Sequence, residues 1–474
     1  MKKGILLSIF SLPSKYGIGD FGKEAYEFID LLSENDIEYW EILPINEGGR
    51  YPYAPMSYYA LNKNYISIDL LIEEGLLDIR NVEYKENSNR IEYDDFKDKW
   101  YKEAYVLFRR RYKEYQKDYE AFISKIEIQE FCNFYSKLND ENVDYISFLQ
   151  FILDKQWKLL KEYANSRGVK IIGDLPIYPC FNSAEVEYNS SCYDLNNGKM
   201  EYVSGASPDY FNSEGQKWGH PLYNFEYMKK HGYEYLLRRY KEFLARYDVI
   251  RIDHFRAFDT YYKIPVDKSA KHGFYADGPR EDFLDKLFTF ATSDRFIVED
   301  LGDIREETEK LRDKYNFTKM KILQYTINLE KQIDEYKNSK NMVVYTGNHD
   351  NNTILGWYDG LSPVEQKNLV EFLDKNNIKE EKINVAMIKY ALKSDARYVI
   401  IPVQDILGLG EEARINIPGD ENGDINWTWK LIDFEDLKKK ISIMKWLNIK
   451  KRVTIICDPF LVIYNYLIIF FIYI

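Results

Sequence analysis

With 474 residues and 45% hydrophobic positions, the chain can bury a large core. Its formal net charge of −12, with no long Lys/Arg stripe, disfavours nucleic acid and anionic membrane as partners and leaves a neutral small molecule open. Five histidines and four scattered cysteines (Cys132, Cys180, Cys192, Cys457) show neither a C-x-x-C nor a metal-ligand spacing, so no metal or cofactor is predicted and a reducing cytoplasm fits best.

In chain order, "GILLSIF" (4–10) follows two lysines as a signal peptide would, but the run is short and no A-x-A-like site follows, so it reads as a first buried strand. "YWEILPI" (39–45) is the second. A helix-rich stretch, densest over 96–131, reads as an inserted helical subdomain covering about 70–165. "VKIIGDLPIY" (169–178) is followed by a second insertion at about 180–225, a helix-period stretch over 233–248, and "VIRIDHF" (249–255). "RFIVEDLG" (295–302), a helix over 305–315, "MKILQY" (320–325), "MVVYTGNHD" (342–350) and "ARYVIIPVQDIL" (396–407) complete eight strands alternating with helices. That order predicts an α/β fold, a (β/α)8 TIM barrel forming one catalytic domain over 1–452 with both insertions near its mouth. Residues 453–474 are almost wholly apolar but are broken by Asp458 and Pro459. The 15 residues from Phe460 fall short of the roughly 20 a spanning helix needs, so an atypical tail is predicted and no membrane anchor.

The fourth strand is the most informative. Period-2 alternation puts Arg251 and Asp253 on one face and Ile250, Ile252 and His254 on the other. Two buried opposite charges either neutralise one another or line a polar cavity. The barrel rule places active sites at the carboxyl ends of the strands, where Asp174, Asp253, Glu299 and Asp350 would converge from the third, fourth, fifth and seventh strands. Paired carboxylates suit glycoside chemistry: one attacks the anomeric carbon, the other protonates the leaving oxygen, and in retaining enzymes they lie about 5 to 5.5 Å apart. Burial and a charged neighbour keep the second carboxyl protonated until the first is esterified.

The stretches "SLPSKYGIGDFG", "WEILPI", "IIGDLPIY", "SPDYFNSEGQKWGHPLY", "RIDHFRAF", "VEDLG", "TGNHDNNT" and "IPVQDILGLGEEARIN" together resemble the amylomaltase family of 4-α-glucanotransferases over nearly the whole chain. The resemblance implies retaining transfer of α-1,4-glucan segments, from maltooligosaccharides or starch- and glycogen-type glucans, to an acceptor sugar in the cytoplasm. It implies Asp253 as nucleophile with Arg251 holding it ionised, Glu299 as acid/base, and Asp350 as stabiliser of the distorted sugar with His349 donating a hydrogen bond. Asp174 and His254 are implied as supporting site residues, and Asp300 is expected to point elsewhere. The stretch 209–219 matches a loop over the active site, in which Gln216 would bond sugar hydroxyls and Trp218 would stack on a ring or belong to the core. Tyr53 and Ser57 fall in a segment near the donor sites. The chain departs from the family at Asn182, Glu187 and Asn348. A hydrolase using the same carboxylates, or a catalytically silent glucan-binding protein, are the alternative readings. Neither oligomeric state nor chain-length preference is legible.

Overall fold

A computed structural model describes residues 1–208, 213–328, 333–334, 340–420 and 423–446. Eight parallel strands close a barrel: β1 (Lys2–Leu6), β2 (Tyr39–Glu41), β3 (Lys170–Leu175), β4 (Val249–Ile252), β5 (Phe296–Val298), β6 (Thr318–Ile322), β7 (Met342–Tyr345) and β8 (Tyr398–Pro402), each paired with its sequence neighbours and β8 with β1. Each predicted strand coincides with one of these. The observed strands are shorter because several apolar runs continue into buried turns at the mouth: Ile9–Ser11 and Val403–Leu407 are helical, and Leu323–Thr326 turns into a helix directly after β6. Their composition is that of a strand, but their backbone folds back over the barrel.

Both faces of most of the parallel strands are buried, as the near-continuous Val/Ile/Leu runs require, while β6 keeps Lys319 and Lys321 half-buried on its outer face. Inside, Ile172, Val249, Ile297, Met320, Val343 and Ile400 pack into one apolar cluster with Tyr39 and Tyr398, whose rings meet edge to face at 5.1 Å. Two residues further along β3 and β4, the same inward face carries Asp174 and Arg251, so the apolar filling gives way to a charged layer at the mouth. Gly173 allows this: a Cβ there would lie 2.3 Å from the ring of Tyr247, which packs against the outer face of β3.

Between β2 and β3 run the helices Asp98–Arg110, Tyr112–Ile123, Ile126–Asn139 and Val143–Ser166. The first two are separate elements within the predicted helical stretch, joined at Arg111. Phe108 centres an aromatic cluster with Tyr115, Tyr119, Phe148 and Phe151. The 24-residue helix Val143–Ser166 belongs to both layers: Phe148 and Phe151 face this cluster, while Trp157 meets Tyr247 at 5.7 Å and Tyr163 Oη donates to Asp30 at 2.7 Å.

Beside the mouth stands an antiparallel sheet ordered Phe274–Asp277, Thr260–Pro265, Tyr202–Ala206, Gln216–Pro221. Gln216 and Trp218, expected on a loop, lie in its last strand. Residues 209–212 at the start of the expected loop, and the apolar tail 453–474, lie outside the described residues. Among the described residues no helix is long and apolar enough to cross a membrane, and no group of three or more His, Cys, Asp or Glu is placed to hold a metal ion.

Candidate active site

The charged layer is organised by one guanidinium. Strand register sets Asp174 level with Arg251, and Arg251 Nη1 donates to Asp174 Oδ1 and Oδ2 at 2.8 and 2.7 Å and to Asp253 Oδ1 at 3.2 Å. Its Nη2 lies 3.0 Å from Glu299 Oε2. The planar fork of donors is what lets one cation reach three carboxylates. The Arg251 and Asp174 side chains are each 1% exposed, whereas Asp253, Glu299 and Asp350 are 20%, 21% and 36% exposed. The first two are therefore the floor of the site, and the last three face whatever enters the mouth.

Arg251 was expected to serve Asp253. It instead makes its shortest contacts with Asp174 and reaches Glu299 at least as closely as Asp253. Glu299 Oε2 also accepts the His254 main-chain N–H at 2.9 Å. Burial and the Glu299 charge push the Asp253 carboxyl well above the usual carboxylate range, whereas Arg251 and the His254 N–H outweigh burial and hold Glu299 below it. The two carboxyls titrate as a coupled pair in which Asp253 is the more readily protonated as the side chains stand. The more protonated member is the opposite one from that expected for a nucleophile and acid pair.

His254 departs from strand alternation because β4 ends at Ile252. It adopts a left-handed backbone (φ +48°), which turns its N–H toward Glu299 and its ring against Trp218 at 4.9 Å, edge to face. Burial lowers its imidazole pKa to about 4, so the ring is neutral near pH 7. Trp218 Nε1 in turn donates to Gln216 Oε1 at 3.0 Å.

Asp350 comes from the opposite side, on the loop after β7. Asn416 Nδ2 donates to Asp350 Oδ1 at 2.7 Å, Arg414 Nη2 to its carbonyl at 2.8 Å, and its own N–H to Asn348 Oδ1 at 2.9 Å. His349 Nε2 lies 3.4 Å from Asp350 Oδ2. Desolvation opposes the charge, but His349, Asn416 and Arg251 outweigh it and hold this carboxyl well below the usual range. Tyr53 completes the wall: its ring stacks on His349 at 5.0 Å and its hydroxyl donates to Asp174 Oδ2 at 2.7 Å.

Asp300 points away, as alternation predicts, accepting from Met320 N–H at 2.8 Å and Arg312 Nη1 at 2.6 Å. Ser57 is not brought into this group. Its side chain is buried, donates to Glu185 Oε1 at 3.2 Å, and accepts the N–H groups of Tyr59 and Ala60 at 3.0 and 3.3 Å, fixing the 57–60 turn. Ser57→Ala is therefore expected to cost about 1 kcal/mol of stability in a denaturant melt and leave KM for the substrate unchanged; a raised KM would return Ser57 to the site.

Three partners of the site are not marked by carboxylates at the predicted strand ends. Glu41, inward on β2, accepts Tyr345 Oη at 2.7 Å beneath the site, and burial raises its pKa to about 7. Continuing the period-2 count through "YWE" would have found it. Asn416 carries no charge, and Trp427, which flanks Tyr53 and His349 at 5.7 and 6.0 Å, sits in irregular backbone that no periodicity marks.

Two coupled carboxyls pushed apart in their titration, with a third held ionised across from them, are the equipment for making and breaking an acetal at a sugar's anomeric carbon. On a closed parallel barrel this places the protein among barrel enzymes that act on glycosidic bonds. A family model described as 4-alpha-glucanotransferase matches residues 7–136 and 124–434. The chain is 34% identical to the 4-alpha-glucanotransferase of Aquifex aeolicus over 484 residues, covering 95% of this chain and 99% of that protein. It is 35% identical to that of Synechocystis over 475 residues, covering 90% and 93%. Among solved structures, amylomaltase from Streptococcus agalactiae in complex with acarbose superposes with a TM-score of 0.87 at 27% identity, covering 94% of this chain and 98% of that one. The chain belongs to the 4-alpha-glucanotransferase family.

Proposed function

We propose that the enzyme cleaves α-1,4-glucans of the maltooligosaccharide, starch or glycogen type and passes the cleaved segment to an acceptor sugar in the cytoplasm, using Asp253 as nucleophile, Glu299 as acid/base and Asp350 as stabiliser of the distorted ring. The observation that carries this reading is the single guanidinium joining Asp253 to Glu299 on one side of the mouth, with an ionised Asp350 on the other. The domain plan we propose is one catalytic barrel with helical and mouth-side insertions.

The first step needs the proton on Glu299 and an ionised Asp253, so a proton favoured on Asp253 at rest passes to Glu299. Arg251 contacts both members, so the charge moves within reach of the same cation. An Asp253 oxygen then bonds the anomeric carbon as the glycosidic C–O bond breaks, and the leaving oxygen takes the proton from Glu299. Asp350 faces the positive charge that develops on the ring. In the second step Glu299 removes the proton of an acceptor hydroxyl, whose oxygen displaces Asp253 from the anomeric carbon. Two inversions give net retention.

Transfer rather than hydrolysis requires that a sugar outcompete water at about 55 M, which positioned groups achieve when effective molarities reach roughly 10⁵ to 10⁸ M. The apolar face of Trp218, locked between His254 and Gln216, is the proposed acceptor-side wall. Maltotriose should yield glucose, maltopentaose and longer chains with total reducing ends nearly constant; reducing ends that rise in step with substrate loss would mark a hydrolase. Trp218→Ala should raise the hydrolysed share roughly tenfold, equivalent to about 1.4 kcal/mol between the two competing transition states, read as reducing ends per glucose released.

A further inference from the structure

Asp350 stands five residues beyond the end of β7, too far for the strand itself to aim it. Both ends of the loop that carries it are instead gripped by one buried side chain outside the mouth. Asp405, in the short helix Val403–Leu407 directly after β8, accepts Thr346 Oγ1 at 2.5 Å through Oδ2 and the Ile354 N–H at 2.8 Å through Oδ1. Thr346 and Ile354 bracket Gly347 through Thr353, the segment that includes His349 and Asp350, and all three gripping residues are buried. Asp405 is itself fixed, because its carbonyl accepts Asn384 Nδ2 at 2.9 Å and the Gly408 N–H at 3.2 Å. The segment after β8 then returns to the same loop through Arg414 and Asn416 on Asp350.

We infer that Asp405 is a positioning residue for the transfer reaction: a clasp from β8 that closes the ends of the β7 loop and so sets where the Asp350 carboxylate meets the sugar. A bidentate acceptor suits this task, since one carboxylate satisfies a hydroxyl and a main-chain N–H on two different turns of chain and fixes the distance between them. Nothing of the clasp touches the mouth, so its effect on the reaction passes through Asp350 and His349.

The inference rests on Asp350 taking part in transfer, and the experiment separates the two. Wild type, Asp350→Asn, Asp405→Ala, Asp405→Asn and Thr346→Val are compared at saturating maltotriose, with near-ultraviolet circular dichroism and the urea midpoint recorded for each. Asp405→Ala is expected to lower kcat by about 10²-fold, the loss that follows a misplacement on the order of 1 Å, with KM changed less than about threefold. Asp405→Asn keeps an acceptor for Ile354 and, by turning the Thr346 hydroxyl, a hydrogen bond to it, so kcat should return to within about tenfold of wild type. Thr346→Val should fall between, and the Thr346→Val/Asp405→Asn pair should be non-additive. An inactive Asp350→Asn beside a fully active Asp405→Ala overturns the clasp alone, whereas an active Asp350→Asn overturns the proposed role of Asp350. If Asp405→Ala does not fold, Asp405→Asn and Thr346→Val decide: a loss confined to the urea midpoint or to KM, with kcat unchanged in both, makes Asp405 merely structural.

Discussion

Asp253→Asn is expected to lower transfer from maltotriose by about 10⁴-fold or more, the scale of loss seen when a nucleophile is removed from a covalent mechanism, while the barrel stays folded. The fold should survive because of the charge count at the floor. As the side chains stand, burial and the Glu299 charge favour the uncharged form of Asp253, while Arg251 favours the ionised form of Glu299. An uncharged amide at position 253 leaves that count unchanged and still offers Arg251 an oxygen acceptor. What it removes is the oxygen able to form an ester with the anomeric carbon. The companion variant is Glu299→Gln with α-glucosyl fluoride, whose leaving group needs little protonation, so that the first step proceeds and the second stalls. Mass spectrometry of the digested adduct should place the sugar on the peptide containing Asp253. The resting charge distribution makes the opposite outcome a real competitor, because Glu299 is the better ionised of the two. A sugar found on another carboxylate, in wild type trapped with a slow substrate, would reverse the assignment.

Arg251→Met is the second large effect. It leaves buried carboxylates without their cation, and breaking such a group typically costs about 3 to 5 kcal/mol because the remaining charge is stranded. Activity should fall by at least about 10³-fold, since orientation and electrostatics are lost together. Arg251→Lys should recover little, because one ammonium cannot reproduce two donors aimed at Asp174, Asp253 and Glu299. The pH dependence has a definite sign. Glu299 in the wild type is held below its ordinary pKa, so its contribution to stability is present above the unfolded value near 4.3 and is lost as pH falls through the depressed folded value. Without Arg251 that depression goes. The stability gap between variant and wild type should therefore be widest above about pH 5 and close as the medium becomes more acid. Urea melts at pH 4 and pH 7 measure it, and a gap that is constant with pH would mean that Arg251 acts by packing alone.

The eight strands were legible because each is a compact β-branched run between turn residues, and the charged layer because period-2 alternation turns Arg251 and Asp253 the same way. What alternation cannot reach is everything past the strand ends. His254 escapes it through a left-handed turn, Asp350 lies on a loop aimed by Arg414 and Asn416, and Gln216 and Trp218 sit on a sheet whose partner strands come from residues 202–206 and 260–265. Ser57 shows the converse: a polar residue in a motif near the site can be there to hold the backbone turn. Which member of the Asp253 and Glu299 pair is the more readily protonated depends on burial, on Arg251 and on the His254 main-chain N–H, and the last of these no side-chain identity encodes.

The helix Val143–Ser166, which faces the aromatic cluster at one end and the barrel at the other, also bears on how the chain assembles. The pairing of Tyr39 with Lys170 closes a loop that contains every residue of the helical insertion, a costly closure for an open coil. Helices Asp98–Arg110 and Tyr112–Ile123 and the first turns of Val143–Ser166 meet at Phe108 and can gather there before the barrel exists, which shortens the effective tether between β2 and β3. A trimmed barrel that replaces residues 98–142 with a short linker would lose this early nucleus together with the seat of the long helix. The helical insertion is thus also the scaffold on which the third strand finds the second.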